Sequence, residues 1–367
     1  MRDCLVIGAG QAGLAVSFHL AARGIPSLAL EGHPRVGDVW RRRWAGLRLF
    51  TPGRYNALPG SPFPGPRYGL PDRLAVADYL EAYAGEHALD VRTDRQATAI
   101  EPLPAGAGFS VATDAGETFA ARTLVVAAGA YRTPRKPGFA ERLPPGLPAA
   151  HSSEIADPAR WLPGAGRHVL VVGAGASGTQ LAQLLSRHHR VTLAGRDPGH
   201  LPRRILGRDV YDLLYGTRLL RTRVDSPAGR LLARAPTGGE IRVGRAVDAL
   251  AAEAGIARVA RIADFDGAFH TAEGTVVPGV DAVVFATGYR NAYPMLSGVP
   301  GALTADGSPA QRLGRSGVPG LWWVGLHLMR RINSSLLGGV GRDAREIADE
   351  VAAYLRRAGR GPRHPPT

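Results

Sequence analysis

Two stretches of the chain repeat one pattern of hydrophobic and small polar positions. Residues 5–13 (LVIGAGQAG) and residues 170–178 (LVVGAGASG) each place three apolar residues before three glycines in G-x-G-x-x-G spacing. An apolar run with helical spacing follows each stretch, at 14–20 and at 181–185. The pattern predicts a buried strand, a tight turn and a helix, built twice in one chain.

The glycines of such a turn have separate physical tasks. The first permits the tight turn, the second lets backbone N–H groups approach a pyrophosphate, and the third lets the helix pack closely on the strand. The positive end of the helix then faces the phosphates. Two such turns predict two dinucleotide sites, at Gly8, Gly10 and Gly13 and at Gly173, Gly175 and Gly178.

The rest of the pattern predicts an α/β protein. Short apolar runs indicate further buried strands, and alternating segments at 91–100, 108–113 and 117–121 and at 256–262, 267–271 and 274–277 indicate two β-meanders. Residues 47–64 are too rich in proline and glycine for regular structure and predict a long ordered loop. The predicted fold is α/β, with two Rossmann-like dinucleotide-binding domains that each carry a β-meander insertion.

The residue that follows the second strand of each unit distinguishes the two sites. Glu31 and Arg196 each come 18 residues after the last glycine of their loop. A carboxylate there accepts hydrogen bonds from a ribose, whereas a guanidinium pairs with a 2′-phosphate. Although Asp197 stands next to Arg196, the pattern favours NADPH over NADH at the second site.

Composition narrows the possible partners. The formal net charge is +14, but the arginines that carry it are scattered, so we expect no nucleic-acid partner. No apolar run approaches the ~20 residues of a membrane span, and nothing resembles a signal peptide. The single cysteine, Cys4, excludes disulfide and CxxC chemistry within the chain. We therefore expect a cytoplasmic protein without a metal site.

At these residues the chain resembles the flavin-containing monooxygenases, most closely the plant-type indole-pyruvate enzymes and their bacterial relatives. The resemblance rests on both glycine loops, on Glu31, on the His-Ser-Ser at 151–153 and on the Ala-Thr-Gly-Tyr at 286–289. It implies FAD on the first loop and NADPH on the second. It also implies a C4a-hydroperoxyflavin that transfers one oxygen of O2 to a small, partly apolar organic substrate.

The resemblance assigns roles residue by residue. Gly37 and Trp40 match a Gly-x-x-Trp segment near the flavin, and Asp343 falls where relatives place a residue close to FAD. The implied cofactor-binding residues are Gly8, Gly10, Gly13, Glu31, Gly37, Trp40, Ser152, Gly173, Gly175, Gly178, Arg196, Thr287, Gly288 and Asp343. The candidate catalytic residues are Thr51, His151 and Asn333.

The resemblance also implies the division of the chain. Residues 1–155 and 286–356 would form the FAD-binding domain, residues 156–285 the NADPH-binding domain, and residues 357–367 a disordered tail. A homodimer is compatible with the sequence.

Two departures from the family pattern leave the chemistry open. Ile155 stands where the identifying motif has an aromatic residue, and Phe50 stands where many relatives place an asparagine or histidine that faces the flavin. Thr51, beside Phe50, could supply one hydroxyl donor. The alternatives are a Baeyer–Villiger variant, an FAD-dependent NAD(P)H oxidoreductase that passes electrons to a carrier, and a redox-inert nucleotide sensor.

Overall fold

The computed structural model describes residues 1–233 and 242–358. The α-helices are α1 Gln11–Ala21, α2 Asp38–Arg41, α3 Arg73–Glu86, α4 Pro158–Trp161, α5 Ala176–Leu185, α6 Val210–Gly216, α7 Pro227–Ala233, α8 Val247–Glu253 and α9 Val340–Ala358. Within the described ranges, no helix is long and apolar enough to cross a membrane.

The strands fall into two main sheets and several short ribbons. In chain order they are β1 Arg2–Ile7, β2 Ser27–Leu30, β3 Val91–Arg92, β4 Ala97–Pro102, β5 Phe109–Thr113, β6 Thr118–Val126, β7 Thr133–Pro134, β8 Ala149–His151, β9 His168–Val172, β10 Arg190–Ala194, β11 His200–Leu201, β12 Arg204–Ile205, β13 Arg208–Asp209, β14 Arg242–Val243, β15 Ala257–Val259, β16 Ile262–Phe265, β17 Phe269–Thr271, β18 Val276–Val277, β19 Ala282–Phe285, β20 Tyr289–Arg290, β21 Gln311–Arg312, β22 Arg315–Ser316 and β23 Leu321–Trp323.

The first sheet joins the two ends of the chain. Its order is β21-β22-β23-β6-β1-β2-β3, and the strands from β23 to β3 run parallel. β4 and β5 extend β6 as an antiparallel meander. The middle strands read as continuous apolar runs because both of their faces are covered. Helices α1 and α9 pack against each other over this core.

The second sheet is parallel throughout, in the order β15-β10-β9-β19-β8. A separate antiparallel meander of β16, β17 and β18 packs on it through Phe265 and Phe269. The chain crosses between the sheets after β6 and again after β19, and at these crossings β7 pairs with β20. Mixed α/β architecture with parallel sheets is therefore confirmed.

Three boundaries differ from the sequence-based expectation. Val91–Arg92 and Ala257–Val259 are edge strands that pair in parallel with β2 and β10, and the meanders begin only after them. A turn with Asp94 at φ 50° separates the first edge strand from its meander. The predicted disordered tail was wrong at its start, since α9 continues to Ala358. Residues 359–367 lie outside the described residues.

The only cysteine of the chain lies in the middle of the first core. Cys4, on β1, has no exposed surface. Burial raises the pKa of its thiol to about 12. The thiol is therefore protonated at neutral pH and shielded from solvent, so it is an inert packing residue.

Candidate functional site

The first glycine loop connects β1 to α1 at the carboxyl end of the parallel strands. Gly8 has φ +101°, and a Cβ there would lie 2.8 Å from the carbonyl oxygen of Ala127. A Cβ at Gly13 would collide with the carbonyl oxygen of Gly8. At Gly10, by contrast, nothing lies within 4 Å of the Cβ position. The outer glycines are thus required by packing, and the middle glycine borders open space.

The second loop repeats this arrangement between β9 and α5. Gly173 has φ +112°, and a Cβ there would collide with the carbonyl oxygen of Ala286. A Cβ at Gly178 would collide with Gly173, whereas at Gly175 nothing lies within 4 Å. In both loops the free space is at the middle glycine, where a pyrophosphate approaches the backbone in this motif. The residues present therefore fit two dinucleotides.

Glu31 lies directly beside the first loop. The backbone N–H of Ala9 donates to Oε2 of Glu31 at 2.9 Å, and the backbone N–H of His33 donates to Oε1 at 3.1 Å. His33 Nδ1 is 2.7 Å from the same Oε1. Because Oε2 accepts only one of these hydrogen bonds and can accept a second, Glu31 can both brace the loop and receive a ribose hydroxyl.

Arg196 and Asp197 follow β10, at the matching position of the second loop. Asp197 Oδ1 accepts the backbone N–H of Gly199 at 2.9 Å, and its Oδ2 accepts that of Val247 at 3.3 Å. Arg196 is exposed, and among the described residues it has no carboxylate partner within 4.0 Å. The carboxylate next door is therefore engaged by backbone, and the guanidinium is available to an anion.

His151 lies at the crossing between the sheets, with no exposed surface. Its Nε2 donates to the carbonyl oxygen of Gly288 at 3.0 Å, and its Nδ1 is 2.8 Å from Ser153 Oγ. Thr287 Oγ1 donates to the carbonyl oxygen of Arg135, on the other crossing strand. Burial lowers the pKa of His151. The imidazole is therefore engaged at both ring nitrogens, and a catalytic role for His151 stays a prediction.

Ser152 belongs to the same crossing. It is buried, and its backbone N–H donates to the carbonyl oxygen of Phe285 at 2.9 Å. Gly37 has φ +87°, with its Cβ position 2.5 Å from the carbonyl oxygen of Ala77. Trp40, three residues on, packs against the cores of both sheets. Cofactor binding by Ser152, Gly37 and Trp40 stays a prediction.

The loop at 47–64 contains a buried side-chain pair that the sequence did not indicate. The Thr51 hydroxyl donates to Oδ1 of Asn56 at 2.7 Å, and Asn56 Nδ2 donates to the carbonyl oxygens of Thr51 and Pro52 at 3.0 and 3.1 Å. Asn56 is the only asparagine of that loop, which was the one available signal. Thr51 cannot donate to a bound group without giving up this bond. Phe50 packs against the buried cluster of Val210, Tyr211 and Tyr215.

The last two candidates are Asn333, in the segment between β23 and α9, and Asp343, in the first turn of α9. Both carboxylate oxygens of Asp343 are engaged, one by Arg331 and one by the Ser334 hydroxyl, each at 2.5 Å. Burial raises the pKa of Asp343. Asn333 is 1% exposed, and its Oδ1 has no partner among the described residues. Gln11, on α1, donates to the carbonyl oxygen of Ser335 at 2.8 Å, so this segment runs beside the first loop.

Comparison with known proteins gives the family. The profile of the pyridine nucleotide-disulphide oxidoreductases matches residues 5–204, which include both glycine loops. An uncharacterized oxidoreductase CzcO-like protein of Geobacillus kaustophilus is 32% identical over 350 residues, covering 95% of this chain and 98% of that protein. The chain therefore belongs to the pyridine nucleotide-disulphide oxidoreductase family.

Further relatives define the kind of enzyme within the family. A flavin-containing monooxygenase from Stenotrophomonas maltophilia has a TM-score of 0.78 at 27% identity, covering 96% of this chain and 99% of that one. The indole-3-pyruvate monooxygenase YUCCA1 of Oryza sativa is 34% identical over 217 residues, covering 57% of this chain and 52% of that protein. The resemblance to flavoprotein monooxygenases is confirmed, and with it FAD and NADPH as the cofactors.

Proposed function

We propose that the protein is an NADPH-dependent FAD monooxygenase that inserts one oxygen of O2 into a small, partly apolar organic molecule. The observation that carries the proposal is the pair of equivalent glycine loops, each with open space at its middle glycine, Gly10 or Gly175. The relatives that are monooxygenases support the oxygen chemistry. The rest of the proposal divides the two cofactors between the two loops.

The charged residue beside each loop, Glu31 at the first and Arg196 at the second, determines which cofactor that loop takes. Glu31 suits a free ribose hydroxyl and repels a 2′-phosphate, so the first loop would hold FAD. Arg196 suits the 2′-phosphate of NADPH at the second loop. The two parallel sheets then correspond to two Rossmann-like domains, with FAD on residues 1–155 and 286–356 and NADPH on residues 156–285.

The redox chemistry would be supplied by the two cofactors when they are bound, as hydride transfer and activation of O2. The chain supplies binding, orientation and exclusion of water. The clamp of His151 on Gly288 fixes the crossing between the sheets, and therefore the distance between the two loops. Phe50 and Tyr55, in the loop at 47–64, pack against Tyr215 and its neighbours on α6, and the rings of Tyr55 and Tyr215 stack with their centroids 4.3 Å apart. Such an aromatic cluster suits a partly apolar substrate.

A second candidate function rests on the same loop. The hydroxyl of Thr51 already donates to Asn56, and Phe50 has no donor, so this loop offers the flavin no free side-chain donor at either position. Preorganised donors are what stabilise charge that develops on oxygen. An FAD-dependent NAD(P)H oxidoreductase that passes electrons on without oxygenation is therefore the alternative.

One rapid-mixing experiment separates the two functions. The NADPH-reduced protein is mixed with O2, and the flavin spectrum, hydrogen peroxide and oxygenated products are followed over a panel of aromatic substrates. If the protein is a monooxygenase, we expect a transient flavin spectrum that differs from those of the reduced and the oxidised forms. We also expect a product that carries oxygen from ¹⁸O2. Direct return to oxidised flavin without such a product, with fast reduction of an added electron carrier, would establish the reductase instead.

A further inference from the structure

A cleft of about 470 Å³ lies between the segment after α6 and the start of α9. Five of its six lining residues are arginines, a composition that no cofactor role explains. They are Arg218, Arg221, Arg223, Arg331 and Arg342, with Thr222 between them. The cleft includes neither glycine loop nor Arg196.

The walls of the cleft are held together by backbone hydrogen bonds. The N–H of Val224 donates to Arg330 at 2.9 Å, that of Ile332 to Thr222 at 3.2 Å, and that of Asn333 to Leu220 at 3.1 Å. Residues 220–224 and 330–333 therefore form an irregular ribbon. Arg221, Arg223 and Arg331 lie on this ribbon, so three of the five arginines are presented from a fixed frame.

Only two of the five arginines have acidic partners within the described chain. Arg331 pairs with Asp343 and Glu346, and Arg223 pairs with Asp225 and Glu346. No carboxylate lies within 4.0 Å of Arg218, Arg221 or Arg342 among the described residues. The charges that face the cleft are therefore mainly positive.

Of the five arginines, Arg342 carries its positive charge in the environment that stabilises it least. It is the third residue of α9, a helix of 19 residues, so it stands at the positive end of the helix dipole. The residue as a whole is exposed, but partial burial of its guanidinium and the neighbouring Arg221 and Arg331 lower the pKa of that group. An uncompensated cation at such a position costs free energy, and an anion in the cleft would remove that cost.

We propose that this arginine cleft binds the carboxylate or phosphate group of a small organic molecule, and that this molecule is the substrate to be oxygenated. The second part rests on the proposed function. Asn333, which belongs to the ribbon but does not line the cleft, lies two positions from Ser335, which accepts a hydrogen bond from Gln11 at the first glycine loop. The guanidinium of Arg221 lies 5.7 Å from the ring centroid of Tyr215, which stacks on Tyr55 of the loop at 47–64. An oxyanion held in the cleft would leave its apolar part beside these rings.

The test uses the FAD-loaded, oxidised protein and isothermal titration calorimetry, without NADPH. The probes are phenylacetate, its uncharged match phenylacetamide, and phenyl phosphate. We expect at least one of the two anions to bind about tenfold or more tightly than the amide, because guanidinium–oxyanion bonds are charge-assisted. The combined variant Arg221→Gln, Arg342→Gln should lose this preference. The control Arg345→Gln, an exposed arginine of α9 outside the cleft, should keep it within about twofold.

The outcomes separate the parts of the proposal. Preference for phenylacetate or for phenyl phosphate identifies which oxyanion the cleft takes. Equal affinity for the anions and the amide, or an unchanged preference in the combined variant, would overturn the site. The melting temperature of each variant shows whether it is folded. Arg342→Gln should raise the melting temperature at low salt, because it relieves repulsion between the arginines. Binding that persists in a protein without oxygenating activity would reject the proposed function and leave the anion site standing.

Discussion

At the scale of single residues, the two middle glycines offer matched tests of the cofactor sites. Gly10→Val should abolish bound FAD and the yellow colour, because the added side chain fills the space where the pyrophosphate approaches. Gly175→Val should keep the flavin and lose NADPH binding by the same mechanism. Neither Cβ meets a protein atom within 4 Å, so both variants should fold. Absorbance at the flavin band and titration with NADPH measure the two losses.

The third glycine of each loop provides the contrast. A Cβ at Gly13 would collide with the backbone of Gly8, so Gly13→Ala should reduce soluble expression and melting temperature together with flavin content. If Gly10→Val instead retained one flavin per chain, the assignment of FAD to the first loop would be rejected.

Arg196 is predicted to confer preference for NADPH. Its guanidinium would form a charge-assisted bond with the 2′-phosphate, worth on the order of 1.5–3 kcal/mol, or about ten- to a hundredfold. Arg196→Ala should therefore raise KM for NADPH by that factor and leave KM for NADH nearly unchanged. Steady-state kinetics with both cofactors provide the comparison, and an equal loss for both would indicate a structural role.

At the scale of elements, helix α9 is attached to the segment before it through a buried carboxylate. Asp343 accepts from Arg331 and Ser334, while Arg331 and Arg330 outweigh burial and hold the pKa of Glu346 down to about 2. Asp343→Asn should lower the free energy of unfolding by about 1.5–3 kcal/mol, because it removes one of the two carboxylates that bind Arg331 and leaves only Glu346.

The same helix supplies the control for that prediction. Asp349 pairs with Arg23 but is 61% exposed, so Asp349→Asn should cost at most about 1 kcal/mol. Denaturant unfolding of both variants gives the difference. A loss for Asp343→Asn no larger than that for Asp349→Asn would contradict the anchoring role.

The crossing between the sheets is predicted to weaken on acidification. Burial lowers the pKa of His151 from its ordinary 6.5, so the folded state binds fewer protons there than the unfolded state. The stabilising contribution is therefore complete above about pH 6.5 and is lost as the pH falls below it. His151→Gln should flatten the decline in melting temperature below pH 6.5, whereas the exposed His188→Gln should leave it unchanged. An identical decline in the wild type and in His151→Gln would reject this origin.

The parts of the structure that the sequence predicts are those set by local constraints. Both glycine loops could be located because backbone collisions at Gly8, Gly13 and their counterparts exclude any side chain. Two other features could not be predicted from the sequence: the pairing of Thr51 with Asn56, and the ribbon between residues 220–224 and 330–333. Each depends on how a loop without periodicity folds back on the rest of the chain. The arginine cleft follows from that ribbon, so scattered arginines in the sequence gave no indication of it.

At the scale of the whole molecule, the net charge of +14 predicts a salt-dependent encounter with anionic cofactors. Charges act over ~30 Å at ~0.01 M salt and over only ~8 Å at ~0.15 M. KM for NADPH should therefore rise between these conditions, mainly through slower association. Stopped-flow rates of flavin reduction across the range test this, with NADH, which lacks the 2′-phosphate, as the comparison. A rate independent of salt would show that the positive charge does not steer the cofactor.

The buried thiol of Cys4 has a practical consequence for studying how the two sheets move relative to each other. Because the only native cysteine is inaccessible and protonated, maleimide reagents should leave the unmodified protein unlabelled. A cysteine introduced at an exposed position in each sheet region would then carry a fluorophore without removal of any native residue. Energy transfer between two such dyes would then test whether the distance between the two sheets changes as each nucleotide is added.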